Sequence, residues 1–157
     1  ITIIKNFRNF IEMILQYFKK KENEYKINSD KIYLNILKKS KLILSNEYFY
    51  EINFNVSFEI ITILLINYLK FSKDESFGIN NNVNEELIKN LVNDLDKSLR
   101  DAGISDMSIG KYVKKYVKKF YFRLKILDKI FKNNNHNEFL EYLKSIEFIN
   151  INKVNDL

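Results

Sequence analysis

Apolar residues recur along most of this chain at spacings of three and four residues, whereas residues typical of strand turns are scarce. The 157 residues include three glycines and no proline. Spacings of three and four place apolar side chains on one face of an α-helix. The pattern therefore predicts an all-α protein, folded as a compact single-domain bundle of five to six helices.

Two helices are predicted before residue 46. Residues 2–21 place their apolar side chains on one face and end in a run of lysines, which is typical of an amphipathic helix with a basic end. Asn28, Ser29 and Asp30 are residue types that cap helix N-termini, so we expect a second helix at 30–45. The two apolar faces comprise Ile3, Phe7, Phe10, Ile11, Ile14, Leu15 and Phe18, and Ile32, Tyr33, Ile36, Leu37, Leu42 and Leu44.

The middle of the chain contains the most apolar helix. Residues 46–55 are less periodic and predict a loop or a short helical turn, after which Asn55 or Ser57 caps a third helix. From Phe58 to Phe71 apolar residues fall on nearly every face, which is typical of a central bundle helix. We expect this segment to be the most buried one, followed by a flexible loop at 72–83.

The helices of the second half are delimited by polar residues and glycine. Asn84 is expected to cap a fourth helix, and Gly103 to end it with a positive backbone φ angle. Ser108 is expected to cap a fifth helix, which extends to Phe131, and a last helix is predicted at 137–148.

Few residues in the chain suggest catalysis or metal binding. There is no cysteine, which excludes disulfides and thiolate-bound metal. The single histidine, His136, lies in an Asn-rich segment without a partner at any motif spacing. Asp94 and Asp96 are two residues apart and therefore point to different sides of a helix. The unbroken aliphatic stretch at residues 63–66 is far shorter than the roughly 20 residues of a spanning helix. We therefore expect neither an enzyme, nor a cofactor, nor a membrane span.

The fifth helix carries the strongest charge pattern. Three interpretations of its basic face remain open: contact with nucleic-acid phosphates, contact with anionic lipid headgroups, and a solvated face in a lysine-rich proteome. Tyr112, Tyr116 and Phe120 lie on the apolar line and are expected to pack inward, which weakens the first interpretation. Lys111, Lys114, Lys115, Lys118 and Arg123 are expected to form one exposed basic surface, extended by Lys119, Lys125, Lys129 and Lys132.

The composition affects how strongly the lysines of the fifth helix indicate a binding surface. The formal net charge is +6 and the isoelectric point is near 9.3. Ile, Lys, Asn, Phe and Tyr dominate, as A+T-rich codons would produce, so part of the lysine excess is background. Residue types that such a bias removes are more informative, and Ala102, Gly103 and Gly110 are among these rare residues.

The segment from Asp94 to Lys111, continued by Phe120 to Arg123, closely resembles the signature of the ubiquinol-cytochrome c chaperone family. The resemblance consists of an acidic pair, a Leu-Arg-acid-x-Gly turn, a hydrophobic-x-Asp step, a glycine before a basic residue and a Phe-Tyr-x-Arg close. These features fall on Asp94, Asp96, Leu99, Arg100, Asp101, Gly103, Ile104, Asp106, Gly110, Lys111, Phe120, Tyr121 and Arg123.

Weaker similarity to this family extends toward the N-terminus. Tyr33–Lys41 resembles an early Tyr-containing helix, and Phe58–Glu59 resembles a Phe-acid pair that opens the central helix. The chain departs from the family where Ile63–Leu64 replaces Leu-His, Phe122 replaces a glycine and Val56–Ser57 replaces Gly-Arg. No role of that histidine is carried over.

The resemblance implies a non-enzymatic chaperone for cytochrome b in the biogenesis of ubiquinol-cytochrome c reductase, complex III. It implies newly made cytochrome b and a small assembly factor as partners, peripheral contact with an anionic membrane or a ribosome, and no specific nucleic acid. The place of action would be the cytoplasmic side of a bacterial inner membrane or the matrix side of the mitochondrial one. The alternative function is a small basic helical nucleic-acid- or ribosome-binding module. Residues 1–27 would form an N-terminal amphipathic helix and residues 28–157 the chaperone-like domain.

The signature also implies which residues bind partners. Gly103 lets one helix end and reverse, Asp106 is expected to bond backbone amides of the turn, and Arg100 is expected to clamp a carbonyl or carboxylate across this corner. The predicted partner-binding residues are Asp94, Asp96, Arg100, Gly103, Asp106, Gly110, Lys111, Tyr121 and Arg123, with Lys114, Lys115, Lys118 and Lys119 as a basic face.

Overall fold

The computed structural model of the protein describes residues 2–44, 49–71, 79–146 and 150, with most side chains of residues 2–23 and those of 79–81 left out. Within these ranges the chain forms five α-helices, which confirms the predicted all-α bundle. The helices are α1 (Thr2–Leu44), α2 (Phe54–Phe71), α3 (Ile79–Asp101), α4 (Asp106–Lys132) and α5 (His136–Lys144).

Helix α1 is continuous over 43 residues, so the prediction of two separate helices was wrong. Ser29 is fully buried and its hydroxyl donates a hydrogen bond to the Lys26 carbonyl oxygen, at 2.8 Å. Asn90 of α3 donates to Asp30 Oδ1 at 2.9 Å and lies 3.4 Å from Ser29 Oγ. The polar run that suggested a cap is therefore a contact between helices. The suggested boundary at residues 27 and 28 falls inside α1.

The predicted apolar face of residues 3–18 lies outside the side chains that the structure describes. Among the described side chains of α1, those that pack on the core come from Tyr25 onward. Leu42, which was expected on the apolar face, is 69% exposed.

Helix α2 is the most buried of the described helices, as predicted. It begins at Phe54 because the Val56 amide donates to Asn53 Oδ1 at 3.1 Å, so the cap is Asn53 and not Asn55 or Ser57. Its buried side chains are Val56, Phe58, Glu59, Ile60, Thr62, Ile63, Leu65, Ile66 and Leu69.

By length and composition alone, α2 is the one helix of the described residues that is long and apolar enough to cross a membrane. Half of this 18-residue stretch is buried inside the fold. Since a core helix passes the same test, burial in the bundle explains its hydropathy.

Helix α3 begins at Ile79, five residues before the predicted cap at Asn84. Residues 79–83, expected in a flexible loop, are therefore helical, while 72–78 lie outside the described residues. The C-terminal end is as predicted, because Gly103 has a φ angle of +94°. The Gly103 amide donates to the Arg100 carbonyl at 2.9 Å and the Ile104 amide to the Leu99 carbonyl at 3.1 Å. This pair of bonds is a Schellman motif, which satisfies the last carbonyls of the helix.

The last two helices begin slightly earlier than expected. Ser105 precedes α4 in an extended conformation, and its carbonyl accepts from the Ser108 and Ile109 amides at 3.0 and 2.9 Å, so Ser108 is not the cap. Asn135 caps α5 by accepting bonds from the Asn137 and Glu138 amides at 3.1 and 3.3 Å. Helix α5 ends at Lys144, and residues 147 and 148 of its predicted span lie outside the described residues.

The helices surround one apolar core. Helices α1 and α4 each pack against both α2 and α3, and α5 packs on α4. Tyr33 of α1 donates to Asp94 Oδ2 of α3 at 2.8 Å. Burial, and then the adjacent carboxylate, raise the pKa of this phenol far above its ordinary value, so Tyr33 remains a donor. The core side chains are Tyr33, Ile36, Phe58, Ile63, Leu65, Ile66, Leu69, Val83, Leu87, Leu91, Leu95, Phe120, Leu127 and Ile130.

Candidate functional site

The corner between α3 and α4 carries an exposed charge network. Arg100 Nε donates to Asp96 Oδ2 at 2.8 Å, and Arg100 Nη1 donates to Asp106 Oδ1. These two hydrogen bonds raise the pKa of the Arg100 guanidinium above its ordinary value. The predicted clamp by Arg100 is therefore present. Asp106 was expected to bond backbone amides, but it accepts the hydrogen bond from Arg100 instead. Its side chain remains 88% exposed.

Asp94 and Asp96 point to different sides of α3, as their spacing predicted. Asp94 accepts from Tyr33 of α1, whereas Asp96 turns outward to Arg100. Two carboxylates in separate contacts cannot share a proton or a substrate atom. They hold the helices and the corner in place.

Arg123 lies inside the bundle surface, so the prediction that it joins the exposed basic face was wrong. Its side chain is 16% exposed and that of Glu59 on α2 is 11% exposed. Arg123 Nη2 donates to Glu59 Oε1, and Nη1 contacts Oε2, so the pair is bidentate. A buried carboxylate requires a cation and hydrogen bonds to offset its lost hydration. The Arg123 guanidinium therefore points toward Glu59 of α2 and not toward solvent.

This ion pair joins two segments that both resemble the chaperone family. Glu59 belongs to the Phe58–Glu59 pair and Arg123 to the Phe-Tyr-x-Arg close, 64 residues apart in sequence. The Arg123 Cζ atom lies 6.0 Å from the centroid of the Phe58 ring. Phe120, which opens the close, is 1% exposed in the core. The second half of the signature therefore fastens α4 to α2.

Tyr116 extends the same α2–α4 contact by one helical turn. Its hydroxyl donates to Asn55 Oδ1 at 2.8 Å. Its ring makes edge-to-face contacts with Phe54 and Phe58, with centroids 5.1 and 5.0 Å apart. Burial, and then Tyr112, raise the pKa of the Tyr116 phenol, which therefore stays protonated as a donor.

Sequence reasoning missed Glu59 and Asn55 as members of this contact. The available signal was Glu59 itself, the one carboxylate of a largely apolar helix, which needs a cation when it is buried. A second missed contact is Lys70 of α2, which donates to Asp128 of α4 at 3.1 Å. Hydrogen bonds from Lys132 and then Lys70 hold the pKa of Asp128 below its ordinary value.

A cleft of about 410 Å³ opens above the ion pair, between α2, α4 and α5. Arg123 and Glu59 contribute charged atoms to it, and Ile126 and Tyr142 contribute apolar surface. The guanidinium and the carboxylate neutralise each other, and Lys119 adds a further positive charge to the cleft lining.

The α4 outer face is the surface formed by Met107, Gly110, Lys111, Lys114, Lys115, Lys118, Tyr121 and Phe122. Its four lysines are exposed, as predicted, and they border an open furrow of about 730 Å³ together with Gly110, Lys119 and Phe122. Lys119 is half-buried and lies over the Tyr116 ring, 5.3 Å from its centroid. Tyr112 was expected to pack inward, but it is 39% exposed because it lies at the edge of the apolar line.

Gly110 has a different setting from Gly103. It lies inside α4, and a Cβ built on it would meet no atom within 4 Å. The positive φ angle favours glycine at position 103, whereas neither the backbone nor the described packing requires it at position 110.

Among the residues that the structure describes, no group of three or more His, Cys, Asp or Glu side chains is arranged to hold a metal ion. His136 is exposed at the start of α5.

A family model described as Ubiquinol-cytochrome C chaperone matches residues 47–142, from just before α2 to near the end of α5. Comparisons with curated proteins and with solved structures find no match. The family model indicates a chaperone rather than an enzyme, with a client protein such as a cytochrome and a membrane-associated location. Because the match covers more than half of the residues, the chain belongs to the ubiquinol-cytochrome C chaperone family.

Proposed function

We propose that this chain is a non-enzymatic assembly factor that holds newly made cytochrome b during the biogenesis of ubiquinol-cytochrome c reductase, complex III. The observation that carries the proposal is the family match over residues 47–142. The Glu59–Arg123 pair adds support, because it brings together the two segments whose sequences resemble the family.

The contacts divide the signature into residues that position the helices and residues that are exposed for binding. Asp94 and Arg123 are turned into helix contacts, and their role is to position α3 and α4. A client meets the members at the α3–α4 corner that are exposed or partly exposed, which are Asp96, Arg100, Gly103 and Asp106. Gly110, Lys111 and Tyr121 are also exposed, but they lie farther along α4.

A chaperone of this kind binds its client without catalysing a chemical reaction. The α3–α4 corner offers a guanidinium and two carboxylates, which can exchange their mutual bonds for bonds to polar loops of a client. Such an exchange has a small free-energy cost, because these ion pairs are exposed. Binding of this type is reversible, as the delivery of a subunit requires.

The proposal places the protein where cytochrome b is made, on the cytoplasmic side of a bacterial inner membrane or the matrix side of the mitochondrial one. A small assembly factor would bind the chain as a second partner. The alternative of a nucleic-acid- or ribosome-binding module has no support from the family match, and no contact described above favours it.

The experiment follows newly made cytochrome b in cells that lack the wild-type copy. Cells with an Arg100→Glu variant are expected to lose newly made cytochrome b and quinol–cytochrome c reductase activity, with the variant itself present at the normal level. Lys97→Glu is the matched control, because it makes the same charge change on the exposed surface of α3 one turn away. Full reductase activity in cells without the chain would refute the proposed function, and equal losses in both variants would refute the assignment to the corner.

A further inference from the structure

The α4 outer face has an uncompensated positive charge. Between Met107 and Leu127 the sequence contains seven basic residues and no Asp or Glu. The two carboxylates of α4 itself, Asp106 and Asp128, already bind Arg100, Lys70 and Lys132. Within the described part of the chain, no carboxylate forms an ion pair with the four lysines of this face. An anionic partner can therefore bind it without displacing an internal ion pair.

Apolar side chains stand at both ends of the same face. Met107 is fully exposed, Tyr121 is 50% exposed and Phe122 is 68% exposed. Lysines lie between them along about four turns of helix. Large apolar side chains next to lysines are characteristic of helices that lie in a membrane interface, where the ammonium groups reach the headgroups and the apolar groups enter the acyl boundary.

We propose that the α4 outer face docks on the surface of an anionic lipid bilayer. Lys111, Lys114, Lys115 and Lys118 contact phosphate groups of the lipids, and Phe122 and Met107 insert between them. Gly110 adds no side chain to this face, so the helix backbone can approach the headgroups. This inference concerns a lipid partner rather than the proposed client, and it can be tested with purified protein and protein-free vesicles alone.

The described contacts favour a lipid surface over nucleic acid. The charges form one line along a single helix, which can lie against a planar surface. The cations of this face are all lysines, and the arginine expected among them is bound to Glu59, so no fork-shaped donor is left to read a base edge. The exposed Met107 has no ring to stack on a base, whereas it is well suited to an acyl boundary.

The first test measures flotation of the purified protein with vesicles of phosphatidylcholine, alone or mixed with phosphatidylglycerol. The wild type is expected to float only with the anionic vesicles, and less at high salt. A Lys114→Glu, Lys115→Glu, Lys118→Glu variant is expected to bind at least about tenfold more weakly, since each lysine near an anionic surface contributes to binding. The matched control reverses Lys38, Lys39 and Lys41 of α1, which are also exposed, and is expected to keep most of the binding.

The second test reports insertion directly and does not depend on charge reversal. The chain has no tryptophan, so a Phe122→Trp variant has a single indole in the α4 outer face. Its emission is expected to shift to shorter wavelength with anionic vesicles. The same substitution at Tyr50, which is 66% exposed outside α4, is expected to show no shift.

Three results would overturn the proposal. One is equal binding of wild-type protein to both vesicle types, or to neither. Another is an equal loss of binding in the α1 and α4 triple variants, which would mean that net charge alone is responsible. The third is duplex RNA bound at physiological salt by the wild type and released by the α4 triple variant, with vesicle binding unchanged. Circular dichroism of each variant verifies that the helical fold is retained.

Discussion

The two arginines of the family signature occupy opposite environments. Arg100 lies at the α3–α4 corner with a side chain 43% exposed, between Asp96 and Asp106. Arg123 lies in the middle of α4 with a side chain 16% exposed, bound to Glu59 of α2. Both bind carboxylates, and the sequence motif does not distinguish them. The difference is that one guanidinium remains in water and the other does not.

This difference assigns separate roles to the two ends of the signature. A buried ion pair depends on both partners, because removing one leaves an uncompensated charge in a poorly solvated position. An exposed pair contributes little to stability, because water already solvates both groups. The Arg123 end is therefore support for α4, and the Arg100 end is free to exchange its partners for those of a client.

The largest expected effect comes from breaking the buried pair. Arg123→Met removes the cation from Glu59, and we expect the free energy of unfolding to fall by about 3–5 kcal/mol, measured by urea denaturation. The double variant Glu59→Leu, Arg123→Met is the control, since it removes both charges and is expected to recover most of that loss. If the single variant is as stable as the wild type, the pair does not support the fold and the comparison fails.

The second effect concerns the backbone of the corner. Gly103→Val places a β-branched residue at a φ angle of +94°, and we expect it to lower the free energy of unfolding by about 1–3 kcal/mol. A Cβ at this position meets open space, so the cost comes from the backbone conformation alone. Gly103→Asn tolerates positive φ better and is expected to cost less. Equal stability of wild type and Gly103→Val would mean that the turn changes conformation without cost.

The smallest effect is expected for Arg100→Ala. Its partners are exposed, so its unfolding midpoint in urea should be indistinguishable from that of Lys97→Ala on the same helix. The binding of cytochrome b should nevertheless differ between these two variants. If Arg100→Ala destabilises the protein as much as Arg123→Met, the ion pairs hold the turn and the two arginines are not different in kind.

Local chemistry made some elements predictable from the sequence. Gly103 ended α3 as expected because the Schellman turn depends on a few adjacent residues and on a φ angle that glycine tolerates. The apolar residues of α2 were expected at the centre because a helix with apolar residues on nearly every face must be buried. The exposed lysines of α4 followed from the same periodicity.

Other elements were mispredicted because two structures satisfy the same local pattern. Ser29 and Asp30 can cap a helix or contact another helix. They make the contact here, because Asn90, 60 residues away from Asp30, donates a hydrogen bond to Asp30. Asn84 can likewise begin a helix, yet it is buried inside α3. Polar residues of this type indicate a need for hydrogen bonds and do not indicate where the partners are.

Periodicity, backbone preference and motif order are properties of adjacent residues, so the helical class, the burial of α2, the end of α3 and the resemblance to a chaperone family follow from the sequence alone. The tertiary structure decides that Glu59 and Arg123 form a pair and that Arg100 remains at the surface. Both decisions depend on which helices come together, since the lost hydration of a charge is set by neighbours distant in the chain.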